Sequence, residues 1–71
     1  MLRRIAVQKG QRYIQEFENK SRKPVWEVTS LSLDMARIQH ARLVKVGDRS
    51  EVKTLSCFAL DGKHGFNLTN T

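Results

Sequence analysis

From residue 25 to residue 60, apolar and polar side chains alternate in short bursts. Val25-Trp26-Glu27-Val28, Ala41-Arg42-Leu43-Val44-Lys45-Val46 and Val52-Lys53-Thr54-Leu55-Ser56 carry the pattern, and Gly47-Asp48 and Asp61-Gly62 punctuate it. A strand turns successive side chains to opposite faces, so a period of two suits half-buried strands. Glycine and aspartate adopt turn angles at little steric cost. The pattern predicts a small antiparallel β-domain.

The flanking segments extend it. Residues 11–17 read as a strand with Tyr13, Gln15 and Phe17 on one face and Arg12, Ile14 and Glu16 on the other. Residues 18–24 are polar, basic and closed by Pro24, which resists a central strand, so they form a loop. Residues 25–33 form the next strand, with adjacent apolar residues that suit cover on both faces, as in a closed barrel or at a sheet bend. A wide hairpin turn over residues 34–37 leads to a third strand over 38–46. Residues 34–46 also admit a helix capped by Asp34 and ended by Gly47, since Met35, Ala36, Arg37 and Gln39 are good helix formers. Its apolar residues Met35, Ile38, Leu43, Val44 and Val46 would then spread round the whole wheel, which disfavours a surface helix. Residues 47–50 read as a turn, 51–56 as a fourth strand, 57–60 as one helical turn halted by glycine, and 66–68 as a last short strand. The fold class is mainly β: a small SH3-like antiparallel barrel of about five strands with a one-turn helix before the last. The alternative is an α+β fold with a helix near 34–46. Residues 1–9 form a basic arm or first strand, and 10–71 a single domain.

Size limits what such a domain can do. A chain of 71 residues buries a small share of its surface, so its core is thin and self-association would support it. Cys57 is the single cysteine, which excludes an internal disulfide. No apolar run reaches bilayer length, and the basic start lacks the long apolar stretch of a signal peptide, so the expected location is the cytoplasm, with no membrane partner. The net charge of +6 is uneven. Residues 1–24 hold seven Lys and Arg against Glu16 and Glu18, whereas residues 25–71 hold six against five acids. Concentrated positive charge attracts polyanions such as RNA or DNA.

The words Gly10-Gln11-Arg12-Tyr13, Val25-Trp26-Glu27-Val28, His40-Ala41-Arg42-Leu43-Val44 and Lys53-Thr54-Leu55-Ser56, with Ala59-Leu60-Asp61, span about three quarters of the chain. In them the chain resembles a group of small uncharacterised bacterial proteins. The resemblance implies a small barrel in a bacterial cytoplasm and brings no activity, substrate or cofactor. It also leads one to expect a glycine-containing hairpin between Leu33 and His40, where this chain has Asp34-Met35-Ala36-Arg37.

Candidate chemistry is sparse. His40 and His64 lie in no nucleophile motif, Cys57 beside Phe58 and Ala59 reads as an inert thiol, and no phosphate-cradling glycine loop is present. The expectation is a protein that is not an enzyme and uses no cofactor. Cys57, Asp61 and His64 are three scattered potential ligands without the paired words of a zinc site, so no metal is expected. The chemistry that remains is cationic and aromatic. Arg12, Lys20, Arg22, Lys23, Lys45 and Lys53 would track phosphates, and Tyr13 or Trp26 would stack on bases. Lys45 and Lys53 would sit together on an outward face if Val46 and Val52 paired across the Gly47 turn. Phe58 and Phe66 are expected in the core. The functional expectation is a basic module that contacts nucleic acid or another polyanion. The alternative is a protein-interaction or oligomerisation module.

Overall fold

A computed structural model describes residues 7–16, 23–60, 62 and 64–69. Residues 1–6 of the segment expected as a basic arm or first strand over 1–9, Phe17, and the centre of the basic loop with Lys20 and Arg22 lie outside the described residues. The elements are β1 (Arg12–Gln15), β2 (Val25–Leu33), β3 (Gln39–Lys45), β4 (Asp48–Ser56), a 3-10 turn (Cys57–Leu60) and β5 (Phe66–Thr69). All pairings are antiparallel, in one five-stranded sheet ordered β4-β3-β2-β1-β5. Four consecutive strands form a meander and β5 returns to β1, with the one-turn 3-10 element before it, as expected. The sheet is open: among the described residues β4 and β5 are its edges, so the expected barrel does not close.

The sheet turns one face to the core. Val7, Tyr13, Trp26, Val28, Ala41, Leu43, Leu60 and Phe66 are buried, with Leu31, Leu55 and Cys57 packed against them. Val28 and Leu43 are cross-strand partners and the largest fully buried side chains. Val7 joins this core, so packing of the domain begins before residue 10.

A β-bulge explains the uneven pattern of β2. Val28 pairs with Leu43 and Ser30 with Arg42, so Thr29 has no partner in the ladder. One extra residue shifts the alternation by one. Before the bulge Trp26 and Val28 face the core; after it Leu31 does, opposite buried Ala41. Regular alternation would have sent Leu31 outward and the flanking serines inward. Thr29 Oγ1 donates to the Arg42 carbonyl at 3.2 Å, tying the bulge to β3.

Residues 34–46 contain no helix. Asp34 is committed to a turn: Oδ1 accepts from the Ala36 N–H at 2.8 Å and the Ile38 N–H at 3.0 Å. Its backbone N–H donates to the Ile38 carbonyl at 3.0 Å. A side chain bonded this way offers the backbone an alternative to the helix it would otherwise cap. The chain then runs as β3, whose alternate residues Ala41 and Leu43 are buried. Where the resemblance leads one to expect glycine, Arg37 takes a left-handed conformation at φ 62°.

The second hairpin turns at Val46-Gly47, with Lys45 opposite Asp48, so β4 starts three residues earlier than expected. Gly47 supplies the positive φ of 93° that this tight turn requires. In the 3-10 turn, residues three apart eclipse one another. Cys57 and Leu60 therefore face the core and Phe58 is left 52% exposed, contrary to expectation, while Phe66 on β5 is buried as expected.

Candidate nucleic-acid interface

The structure separates the expected binding residues into three groups. The aromatic pair is inside. Tyr13 and Trp26 are cross-strand partners on the core face, 2% and 5% exposed. Tyr13 Oη donates to Gln11 Oε1 at 3.0 Å, and Trp26 Nε1 donates to Gln15 Oε1 at 3.0 Å. Burial pushes the Tyr13 phenol above its ordinary range, with the Cys57 thiol a smaller contribution. Rings buried and tethered in this way offer no open face to a base.

The second group consists of cations engaged within the fold. Arg12 Nε donates to Glu27 Oε1 at 3.0 Å across the β1–β2 ladder. Lys45 Nζ lies 2.9 Å from Glu51 Oε2. Lys53 Nζ sits 4.8 Å above the centroid of the Trp26 ring. The expected outward pair of lysines is therefore not formed. Val52 pairs with Val44 instead of Val46, and Lys53 pairs with Leu43, so Lys53 shares the core face with Leu43 and Trp26. A lysine stem covers apolar surface while its ammonium stays wet, and here it closes the Trp26 side of a thin core.

Of the third group the structure describes Lys23, which is exposed at the entry to β2; Lys20 and Arg22 lie outside the described residues. Residue patterning alone did not single out Lys9, Arg37 and Arg49, which are exposed as well, as is Arg42, a cation whose face the sequence left open. Arg42 alternates outward between buried Ala41 and Leu43, and this alternation was its one available signal. None of these exposed cations forms an ion pair with another described residue.

Four of the five described acidic residues have a different fate, while the fifth, Glu16, is exposed. Glu27 accepts from Arg12, and Glu51 holds Lys45. Asp34 Oδ2 lies 2.8 Å from His40 Nε2, and Asp48 Oδ1 accepts from the Ser50 hydroxyl at 2.6 Å and the Ser50 N–H at 3.2 Å. Bonding to His40, then to the Ile38 N–H, holds the Asp34 carboxyl below the usual aspartate range. The Ser50 hydroxyl and N–H do the same for Asp48. Four carboxylates are thus locally satisfied while the exposed guanidinium and ammonium groups point to solvent.

Two constellations bear on catalysis. The Asp34–His40 contact is new to the structure, and Ser32 lies opposite His40 in the ladder. Among the described residues no hydrogen bond joins Ser32 to His40, which a hydroxyl nucleophile activated by that imidazole would need. The Cys57 thiol is partly buried and pushed up by that burial, the opposite of activation. Of the scattered potential ligands, Asp61 lies outside the described residues; among the described ones no three His, Cys, Asp or Glu gather. No helix among the described residues is long and apolar enough to cross a membrane. Compared with protein-family models, with curated proteins and with solved structures, the chain matches none.

Proposed function

We propose that this chain is a non-enzymatic, cytoplasmic binding module whose ligand is nucleic acid, held through its phosphates. The observation that supports this reading is the imbalance at the surface. Of the five described acidic residues, Glu27, Asp34, Asp48 and Glu51 are each engaged by a neighbour and Glu16 is exposed, whereas five cations, Lys9, Lys23, Arg37, Arg42 and Arg49, are exposed without an acidic partner among the described residues. A surface left with unmatched positive charge draws a polyanion and releases its condensed counterions. With Tyr13 and Trp26 buried, base stacking by these rings drops out of the expectation, and phosphate contact remains. Such contact positions a nucleic acid without reading its sequence.

Fluorescence anisotropy with labelled single- and double-stranded oligonucleotides, repeated across a salt series, tests this reading. Binding should weaken steeply with salt and differ little between sequences. Absence of binding at micromolar protein in low salt, or binding indifferent to salt, refutes it.

A further inference from the structure

We infer that β4 is a dimerisation edge: two copies of this chain pair through it, antiparallel, about a two-fold axis at Val52. The partner is a second copy of the same chain, and the inference stands independently of nucleic-acid binding.

Among the described residues β4 pairs with β3 on one side and with nothing on the other. At nine residues it is much longer than the opposite edge, β5, which has four. Alternate residues of an antiparallel edge strand turn their N–H and C=O groups away from the sheet, a template for one more strand. β4 contains no proline, Lys53 reaches over Trp26 and Glu51 reaches Lys45, and the register irregularity of the strand lies towards its start, between Asp48 and Val52. An apolar residue, Val52, stands at the midpoint of the strand, 43% exposed on the outer face beside its partner Val44.

Charge then selects the register. A two-fold axis perpendicular to the sheet pairs residues that share a face, so one residue must lie on the axis. With Glu51 there, two carboxylates meet; with Lys53 there, two ammonium groups meet. Both are unfavourable when directly opposed. Placing Ser50 or Thr54 on the axis shortens the ladder to little more than half the strand. Val52 is the middle residue of Asp48–Ser56, and the regular pairing of β4 with β3 begins there, after the irregularity between Asp48 and Val52. An axis there sets Val52 against Val52 of the second copy, Glu51 against Lys53 of the second copy, and Ser50 against Thr54 of the second copy. Apolar pairs, opposite charges and hydroxyl pairs are the favourable cross-strand combinations. The arrangement also covers exposed Val52 and gives a thin-cored domain a ten-stranded sheet, the kind of support small domains need.

Sedimentation velocity over a concentration series, up to hundreds of micromolar, reads the outcome. The wild-type chain should show a concentration-dependent dimer. Glu51→Lys should weaken it about tenfold, because both symmetry-related pairs change from opposite to like charge. Val52→Lys should weaken it similarly by placing two ammonium groups at the axis. Val52 and Glu51 are exposed, so near-UV circular dichroism of Trp26 should stay native in both variants. The double variant Glu51→Lys with Lys53→Glu should recover the dimer. Val52→Cys in a Cys57→Ser background should form an intermolecular disulfide under oxidation, whereas Thr54→Cys should not. A chain that stays monomeric throughout the series overturns the inference. So does a dimer that neither Glu51→Lys nor Val52→Lys weakens, or cross-linking at residue 54 in preference to 52.

Discussion

Trp26→Phe separates a core role for this ring from a binding role. The indole is 5% exposed and its Nε1–H donates to Gln15 Oε1 at 3.0 Å. Phenylalanine keeps an aromatic face beneath Lys53 but removes that donor and leaves space beside Tyr13. The lost hydrogen bond leaves a part-buried Gln15 acceptor without its donor, at about 1 kcal/mol. The smaller ring leaves a void that adds about 1–2 kcal/mol. A chain of this size has roughly 4–10 kcal/mol of total stability, so the loss is a large fraction of it. With a urea dependence of about 1 kcal/mol per molar for a small domain, the unfolding midpoint should fall by about 2 M. Far-UV circular dichroism is the appropriate probe, because the substitution removes the only tryptophan. Oligonucleotide affinity, measured below the transition, should be unchanged. A midpoint that moves by less than about 0.5 M, together with a several-fold loss of affinity, refutes the reasoning, because it places the ring at the interface and not in the core.

Other outcomes follow from the same geometry. Arg42→Gln and Arg49→Gln should each weaken oligonucleotide binding and lower the slope of log affinity against log salt by about one for duplex DNA, with thermal stability unchanged. Arg37→Gly should raise stability by about 0.5–1 kcal/mol in urea unfolding, because it relieves a left-handed φ of 62°, whereas Arg37→Val should lower it. The Asp34 carboxyl titrates below its ordinary value of 3.8, so its contribution is present above that value and is lost as pH falls through the lowered one. Asp34→Asn should therefore be less stable than wild type at neutral pH and should converge with it at strongly acidic pH, as followed by thermal melts.

Much of the fold is legible locally, and the reason is visible in particular residues. β2 coincides with residues 25–33 because Pro24 and Asp34 bound a run of strand-favouring residues. The Cys57–Leu60 turn is marked by the glycine that follows it. The candidate site is less legible. Lys23 is exposed at the mouth of a loop, as its polar neighbours indicate, but the face taken by Lys45 and Lys53 depended on how β3 and β4 pair. Val44 and Val46 are equally good partners for Val52 from the sequence. The turn geometry at Val46-Gly47 and the irregularity between Val44 and Lys45 decide between them. Arg42 and Arg49 emerge as exposed cations only once the inward face of each strand is known.

Sequence by itself determined the mainly-β class, the order of the strands and the charge surplus, because each follows from neighbours within a few residues. Side-chain alternation, the angles open to glycine and proline, and the count of ionisable groups need no distant contact. Tertiary structure decided where those side chains go. The Thr29 bulge resets which residues of β2 face the core. Register places Tyr13 and Trp26 against each other inside, with Lys53 above the indole. The eclipsed 3-10 turn leaves Phe58 outside and Leu60 within. These outcomes rest on pairings between residues far apart in the chain, where a shift of one position moves every side chain to the other face.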